Sequence, residues 1–327
     1  MSFAIVFFMM KRFRIRKIWT WALSLMVVLL VVVLAGSAYL LNFALSPQHR
    51  SVDEALARLY KHHAYVRPWV DSLKAKGAIH DTMVVINGTR LHAAYIPAPR
   101  TSHKVAFLIH GYKDCYAMML HVGYIYHHLG YNLFLPDLYA HGESEGNHIR
   151  MGWLDRLDVM QWVHIANAKF RGDSTSTQMV VHGISMGAAT AMCLSGMPQP
   201  PFVKCYVEDC GYTSVHDEFE HELKQMYGLP AFPILNVASA MCKMKYGWNF
   251  EEASPIQQVK KSHLPMLVIH GTADDFVPTW MAQPIYDAKP SPKQIYMAPG
   301  SAHARSLADH REAYTRIITQ FTHTYIK

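Results

Sequence analysis

A short segment around Ser185 constrains the fold of this chain more than any other feature. The apolar run Gln178–His182 leads into Gly183–Gly187, which has the pattern Gly-x-Ser-x-Gly, and the small residues of Ala188–Met192 follow. This order predicts a buried strand, a sharp turn and a helix, because so tight a turn needs glycine on both sides of the serine. The turn would lift the hydroxyl above the sheet edge, where it can act as a nucleophile. Chance matches to this pattern are common, so the surrounding sequence has to support the interpretation.

Strand and helix patterns alternate through much of the chain. Residues 82–86 and 90–96 flank Asn87-Gly88, which predicts a β-hairpin. Short apolar strands are then expected at Val105–Ile109, Asn132–Leu135, Met179–His182, Cys205–Val207, Met266–Ile269 and Gln294–Met297. Continuous apolar runs are typical of strands that are covered on both faces. An antiparallel hairpin followed by β–α repeats predicts an α/β fold, with a mostly parallel sheet of about eight strands and helices on both faces.

The sequence predicts four regions, in which one large domain follows an N-terminal membrane segment. They are a basic cytoplasmic N-terminus (1–17), a transmembrane helix (18–41), a linker with an N-terminal helix (42–80) and the α/β domain (81–327). Within the α/β domain, residues 213–255 interrupt the alternation with prolines and a helical stretch. This interruption predicts a small helical cap over the strand ends.

Most of the positive charge lies before an apolar stretch near the N-terminus. The formal net charge is +7, and residues 1–50 carry +6 of it, with five basic residues between Lys11 and Lys17. The next 24 residues, Ile18–Leu41, contain no charge. This length is sufficient to cross a bilayer as a helix, which takes ~20 residues. Positive charge on the N-terminal side predicts that the N-terminus lies in the cytoplasm and the α/β domain outside it.

A cleaved secretory signal is the alternative to a membrane anchor. Gly36-Ser37-Ala38 provides small residues of the kind that signal peptidases cleave after. The apolar core of a signal peptide usually has ~7–15 residues, and this stretch is longer. We therefore favour an uncleaved, single-pass anchor.

The rest of the composition narrows the expected partners. Residues after position 50 carry only +1 and contain no basic cluster, so nucleic acid is not an expected partner.

The five cysteines lack Cys-x-x-Cys spacing, and they do not predict a metal site. Buried free thiols are favoured over one or two disulfides. The sequence makes no prediction about oligomeric state.

Two later loops contain the base and the orienting acid that a serine nucleophile needs. Asp274 lies just past a predicted strand, and His303 lies in the loop after the last one. The chain order Ser185, Asp274, His303 is the order expected for this sheet topology. Asp275 is an alternative to Asp274, and Asp209, after the preceding strand, is a reserve candidate for the acid. His303 is preferred among the histidines because it follows a strand in a Gly-Ser-Ala-His loop, whereas His310 lies inside a predicted helix.

With these motifs, the chain resembles the serine-nucleophile branch of the α/β-hydrolase superfamily from about Asp81 to Lys327. The resemblance implies an oxyanion hole built from two backbone N–H groups. One belongs to Met186, directly after the nucleophile, and the other to Tyr112, in the loop opened by His110-Gly111. The resemblance gives the loop at residues 137–146 a structural role.

The resemblance also implies an activity. Ser185 would attack a carboxylic ester and form an acyl-enzyme, with His303 as the base and Asp274 orienting it, and no metal or organic cofactor would be required. The expected substrate is a small-molecule ester or a peptide. A serine peptidase similar to the prolyl-type branch and an acyltransferase are the alternatives, because esters and amides react through the same intermediate. A non-catalytic binding protein is disfavoured because the triad residues and the oxyanion loop are all present.

Overall fold

Eight strands form one sheet in the computed structural model, which describes residues 3–173 and 176–327. The order across the sheet is β1-β2-β4-β3-β5-β6-β7-β8. The strands are β1 (His80–Ile86), β2 (Thr89–Ile96), β3 (Lys104–Ile109), β4 (Asn132–Pro136), β5 (Gln178–Ile184), β6 (Val203–Asp209), β7 (Met266–Gly271) and β8 (Lys293–Ala298). Strand β2 runs antiparallel to its neighbours β1 and β4, and the other neighbouring pairs are parallel. The mostly parallel eight-stranded sheet predicted from the sequence is thus confirmed.

The hairpin and the central strands follow from their local sequence. Asn87 and Gly88 have φ values of 50° and 80°, and a two-residue turn that matches the twist of the sheet requires positive φ at both positions. Every residue of β4 and β7 is buried. Since successive side chains of a strand point to opposite faces, both faces of the sheet are covered at these strands.

Twelve α-helices occur in the described part of the chain. They are α1 (Phe3–Leu45), α2 (Val52–His62), α3 (Arg67–Ala75), α4 (Leu120–His128), α5 (Asp155–Phe170), α6 (Met186–Ser195), α7 (Val215–Tyr227), α8 (Ile234–Tyr246), α9 (Pro255–Val259), α10 (Ala282–Ala288), α11 (Ser306–Asp309) and α12 (Arg311–Tyr325). Helices α7 and α8 lie in the interval 213–255, where the sequence predicts helical structure.

The helix predicted within residues 42–80 is present as two helices. Helix α2 begins with a capping box, in which Ser51 and Glu54 exchange hydrogen bonds between side chain and backbone. Helix α3 begins at Arg67 with Pro68 in its first turn, a position where the missing N–H of proline costs no hydrogen bond. The chain therefore has a defined start for each helix, and a short 3₁₀ turn, Ala64–Val66, separates them.

The chain forms two compact units. The larger unit contains Leu45–Glu222 and Phe250–Lys327, and the smaller unit contains the residues up to Ala44 together with Leu223–Asn249. The smaller unit includes most of α1, whose segment Arg16–Leu45 has a mean hydropathy of 2.6 and no buried residues in its most apolar part. By length and composition this segment can cross a membrane, and both membrane anchors and signal sequences have these properties.

Candidate active site

Ser185 lies in the strained turn between β5 and α6. Its φ and ψ are 57° and −121°, a conformation that non-glycine residues rarely adopt and that occurs mainly at functional sites. A Cβ at Gly183 would lie 2.0 Å from the carbonyl oxygen of Gly187, and a Cβ at Gly187 would lie 2.1 Å from that of Ile109. Both positions therefore require glycine. The Ser185 N–H donates to the Asp209 carbonyl oxygen at 2.8 Å, which holds the turn against the end of β6.

A chain of hydrogen bonds joins Ser185, His303 and Asp274. The distance between His303 Nε2 and Ser185 Oγ is 2.9 Å, and that between His303 Nδ1 and Asp274 Oδ2 is 2.8 Å. The other carboxylate oxygen, Oδ1, accepts from the N–H groups of Phe276 at 3.1 Å and Val277 at 3.0 Å. Asp274 is buried, and both of its carboxylate oxygens have hydrogen-bond partners. Because the carboxylate is held in this way, it fixes the orientation of the imidazole ring.

The parallel strands bring these three side chains together. Ser185 follows β5, Asp274 follows β7, and His303 follows β8, so all three lie at the carboxyl edge of the sheet. Ligand and reaction sites of α/β sheets form at this edge. The structure thus places the serine, the acid and the base of the sequence prediction within hydrogen-bond distance of one another.

The alternative acids lie elsewhere. Asp275 is exposed, and its carbonyl oxygen accepts a hydrogen bond from His221 Nε2 at 2.7 Å. Asp209 is buried, and its Oδ2 accepts from the Tyr314 hydroxyl at 2.8 Å. Burial raises the pKa of Asp209 from 3.8 to about 7. The geometry therefore favours Asp274 over both alternatives as the partner of His303.

Other residues of the sequence prediction organise the neighbouring loops. His110 Nε2 accepts from the Leu138 N–H at 3.0 Å. Asp137, the first residue of the loop that was predicted to be structural, accepts from the N–H groups of Tyr116 at 2.7 Å and Glu143 at 3.0 Å. These bonds tie the loops after β3 and β4 to each other beside the site.

The two backbone positions predicted for an oxyanion hole flank Ser185. Met186 is the first residue of α6, and the first N–H groups of a helix have no partner within the helix. Tyr112 directly follows Gly111, where an added Cβ would lie 3.4 Å from Ser185 Cβ and 3.9 Å from its Oγ. The loop after β3 therefore passes within van der Waals contact of the serine, and the site has backbone on two sides of the hydroxyl.

A cavity of about 610 Å³ opens at Ser185 and His303. Most of its wall is apolar, including Leu59, Met118 and Phe276. Its volume lies within the ~300–1,000 Å³ typical of small-molecule sites. Helix α2 supplies one side of the cavity, a contribution that the sequence pattern of this helix does not predict.

The α2 wall of the cavity, which consists of Arg58, Leu59 and His62 together with the adjoining Arg305, also carries positive charge. Arg58 and Arg305 both line the cavity. Arg58 Nη1 lies 3.8 Å from Asp114 Oδ2, while Arg305 Nη2 lies 2.9 Å from Asp309 Oδ1 and its Nη1 lies 3.0 Å from His62 Nδ1. Burial, and then the charge of Arg305, lower the pKa of His62, which favours a neutral ring whose Nδ1 accepts from the guanidinium. Asp114 also lines the cavity, so two guanidinium groups outnumber one carboxylate there, which favours a substrate group that is negative or neutral.

One set of potential metal ligands occurs among the described residues. Cys210, Asp274 and His303 have ligand atoms within 4.8 Å of one another. Both ring nitrogens of His303 already have hydrogen-bond partners. Burial raises the pKa of the Cys210 thiol well above its usual range, which disfavours the thiolate that a metal would need. The donor set therefore fits a proton relay better than a metal site.

Sequence comparisons relate the chain to one family and to several proteins of unassigned function. The sequence profile of the prolyl oligopeptidase family matches residues 148–327, more than half of the 327 residues. The uncharacterized protein YqkD of Bacillus subtilis is 27% identical over 227 residues, which are 69% of this chain and 73% of YqkD. The uncharacterized protein YfhR of Escherichia coli K12 is 24% identical over 243 residues, 72% of this chain and 77% of YfhR.

Solved structures confirm the fold predicted from the motifs. An esterase of Pyrococcus furiosus has a TM-score of 0.61 at 20% identity, over 76% of this chain and 92% of the esterase. An acylaminoacyl peptidase of Pyrococcus horikoshii has a TM-score of 0.58 at 17% identity, over 76% of this chain and 42% of the peptidase. Together with the family match, these similarities identify the fold as that of the serine-nucleophile α/β hydrolases.

Proposed function

The chain belongs to the prolyl oligopeptidase family of serine hydrolases, and we propose that it cleaves carboxylic esters with Ser185 as the nucleophile. The observation that carries the proposal is the continuous hydrogen-bonded chain from Ser185 Oγ through the His303 ring to Asp274. A nucleophile, a base and an orienting acid in hydrogen-bond contact are the arrangement that acyl transfer requires.

The proposed reaction has two halves. His303 Nε2 accepts the Ser185 proton while Oγ attacks the ester carbonyl carbon, and the N–H groups of Met186 and Tyr112 stabilise the resulting oxyanion. When this intermediate collapses, the C–O bond to the leaving alcohol breaks, and His303 donates the proton to the alcohol oxygen. Water then attacks the acyl-enzyme with His303 again as base, which releases the acid and restores the serine. Asp274 stabilises the imidazolium in both halves.

An ester is the first candidate because the cavity wall is mainly apolar. Such a wall suits the short acyl chain of a small ester and offers few partners for the polar backbone of a peptide. Peptide hydrolysis is the second candidate, and membership of the prolyl oligopeptidase family supports it. Acyl transfer to an alcohol other than water would use the same residues.

We also propose that α1 anchors the protein in a membrane as a single-pass helix. Lys11–Lys17 precede the uncharged stretch, which favours a cytoplasmic N-terminus and a catalytic domain on the opposite side. The exposed Val85 offers a test, because a cysteine there should react with a membrane-impermeant maleimide added to intact cells. Reaction only after the membrane is permeabilised would contradict this orientation.

Covalent labelling tests the role of Ser185 without presupposing a substrate. A fluorophosphonate probe should phosphonylate Ser185 Oγ with loss of fluoride, and Ser185→Ala should abolish labelling. Ser195→Ala is a matched control, because Ser195 lies on α6 and its hydroxyl donates to the Met192 carbonyl oxygen instead of facing the site. Labelling that survives in Ser185→Ala but is lost in another serine variant would refute the assignment.

A substrate panel separates the two candidate activities. Short-chain alkyl esters should be turned over, and peptide p-nitroanilides should be turned over at least a hundredfold more slowly. The opposite ranking would assign the chain to peptide hydrolysis with the same three residues. Both activities should disappear in Ser185→Ala.

A further inference from the structure

The C-terminal end of α7 and the loop that joins it to α8 present apolar side chains to solvent, and we call the segment Met226–Phe232 the apolar loop. Residues 224–230 are exposed without interruption, and they include Met226, Tyr227 and Leu229. Phe232, two residues further on, is 75% exposed. Single exposed apolar residues are ordinary on protein surfaces, but a contiguous group usually marks an interaction site.

This loop is joined to α1 within the smaller unit. The Ser37 hydroxyl donates to the Ile234 carbonyl oxygen at 2.8 Å, and Ser37 is fully buried. Leu41, one helical turn after Ser37, is buried as well. Because Ile234 begins α8 directly after the loop, the hydrogen bond fixes the end of the apolar loop beside Ser37.

The position of Ser37 along α1 defines the depth of the loop in a bilayer. The basic cluster ends at Lys17, and the ~20 residues that cross a hydrocarbon core take the helix from Ile18 to Ser37. Tyr39 and Phe43 follow on the exposed surface, with ring centroids 6.4 Å apart. Exposed aromatic rings at this point are typical of the membrane–water interface. Ser37 would therefore lie at the outer boundary of the hydrocarbon.

We propose that the apolar loop, Met226–Phe232, inserts into the interfacial region of the bilayer that α1 crosses. The proposal rests on the proposed anchoring of α1, and its ligand is the phospholipid surface of the leaflet on the catalytic side. Exposed Lys224 precedes the loop, where its stem can pack on lipid while the ammonium group reaches phosphate. The protein thus has two membrane contacts, a spanning helix and an interfacial loop.

Depth-dependent quenching in the full-length protein tests the loop. Phe232→Cys would be labelled with the fluorophore NBD and the protein reconstituted in phosphatidylcholine nanodiscs. All five native cysteines are buried and unbridged, so the introduced thiol should label selectively. Val85→Cys, at a position 68% exposed on β1, is the matched water-facing control. Leu29→Cys on α1 reports whether the helix lies in the bilayer.

The expected result is at least twofold quenching at position 232 by lipids with a doxyl group near the headgroup, and weaker quenching by lipids labelled near the chain end. Position 85 should be unaffected, and position 29 should be quenched most by the deep label. Quenching at 29 without quenching at 232 would overturn the proposal and leave the anchor intact. No quenching at 29 would overturn both.

A protein partner gives a different signature. If another protein or a second copy of the chain covers the loop, the emission at position 232 should shift to the blue without quenching by either lipid, and the proposal would be wrong. Ester turnover by the same samples and by Ser185→Ala separates these outcomes from a failure of the proposed activity. Phe232→Cys should retain the basal turnover of water-soluble esters, because Phe232 has no part in the proposed catalytic machinery.

Discussion

The cavity at Ser185 has two walls of different construction. The elbow wall consists of strand ends and tight turns, where Gly183 and Gly187 leave no room for a Cβ and each oxygen of Asp274 has a partner. The α2 wall consists of a helix whose long side chains form partly exposed ion pairs, such as Arg58 with Asp114. A wall fixed by backbone should tolerate almost no change, whereas a wall formed by flexible side chains should adjust the choice of substrate.

The elbow wall should fail completely when its backbone is displaced. In Gly187→Ala, the new Cβ would overlap the Ile109 carbonyl oxygen, and we expect loss of ester turnover with at least about 2 kcal/mol of destabilisation. Gly111→Ala is the graded control, since its Cβ would meet Ser185 at an ordinary 3.4 Å. Thermal unfolding and turnover measured on both variants test the comparison. Equal tolerance of the two substitutions would mean that the elbow is not rigid.

Changing the acid should damage chemistry more than binding. In Asp274→Asn, the amide cannot stabilise the imidazolium, so kcat should fall ~10³–10⁴-fold while KM changes only a few-fold. Asp275→Asn, one residue away and exposed, should stay within about twofold of the native enzyme. Steady-state kinetics on a short-chain ester gives both values. A larger loss in Asp275→Asn would exchange the roles of the two residues.

The α2 wall should affect selectivity. Arg58→Gln removes one positive charge from the cavity, so kcat/KM for p-nitrophenyl hemisuccinate should fall several-fold relative to the neutral butyrate. The Tm should barely change, because an ion pair with a 58% exposed arginine contributes at most ~1 kcal/mol. Arg67→Gln is a matched control, with an ion pair to Asp71 at 3.7 Å and no part in the cavity wall. An unchanged ratio of the two esters in Arg58→Gln would remove this wall from substrate selection.

Asp209, beneath the elbow, should affect stability in a pH-dependent way. Burial raises its pKa from 3.8 to about 7, so the folded state holds the proton more tightly than the unfolded state. The contribution of Asp209 to the free energy of unfolding is therefore fully present below pH 3.8 and decreases as the pH rises towards 7. Above about pH 7 this contribution is absent. Asparagine cannot ionise, so the loss at high pH affects only the native protein. The difference in Tm, Asp209→Asn minus native, should therefore be a few degrees more positive at pH 8 than at pH 5.

Intrinsic fluorescence of the seven tryptophans can report these Tm values. Asp71→Asn, at an exposed position, serves as the reference variant. Asp209→Asn behaving like this reference would show that the buried carboxyl does not titrate in this range.

The two walls also differ in how far the sequence predicts them. Ser185, Asp274 and His303 each follow a strand at a short offset, and parallel strands bring such positions to one edge, so local pattern is sufficient. Arg58 and His62 reach the cavity through the packing of α2, far from Ser185 in sequence. Helical periodicity predicts that α2 exists but does not predict which of its residues face a cavity.

Strand ends show the same limit on a smaller scale. The apolar pattern predicts Cys205–Val207, whereas β6 continues to Asp209. Glu208 and Asp209 are charged residue types that are buried, and burial raises the pKa of both side chains. A hydrophobicity pattern ends where such residues begin, so it cannot identify the part of the strand that holds the Ser185 turn.

The buried cysteines determine how the protein depends on its redox surroundings. All five belong to the described part of the chain, and none forms a bridge there. Because no disulfide joins these cysteines, forming the native structure consumes no thiol oxidant. The same covalent structure is therefore compatible with a reducing and with an oxidising compartment.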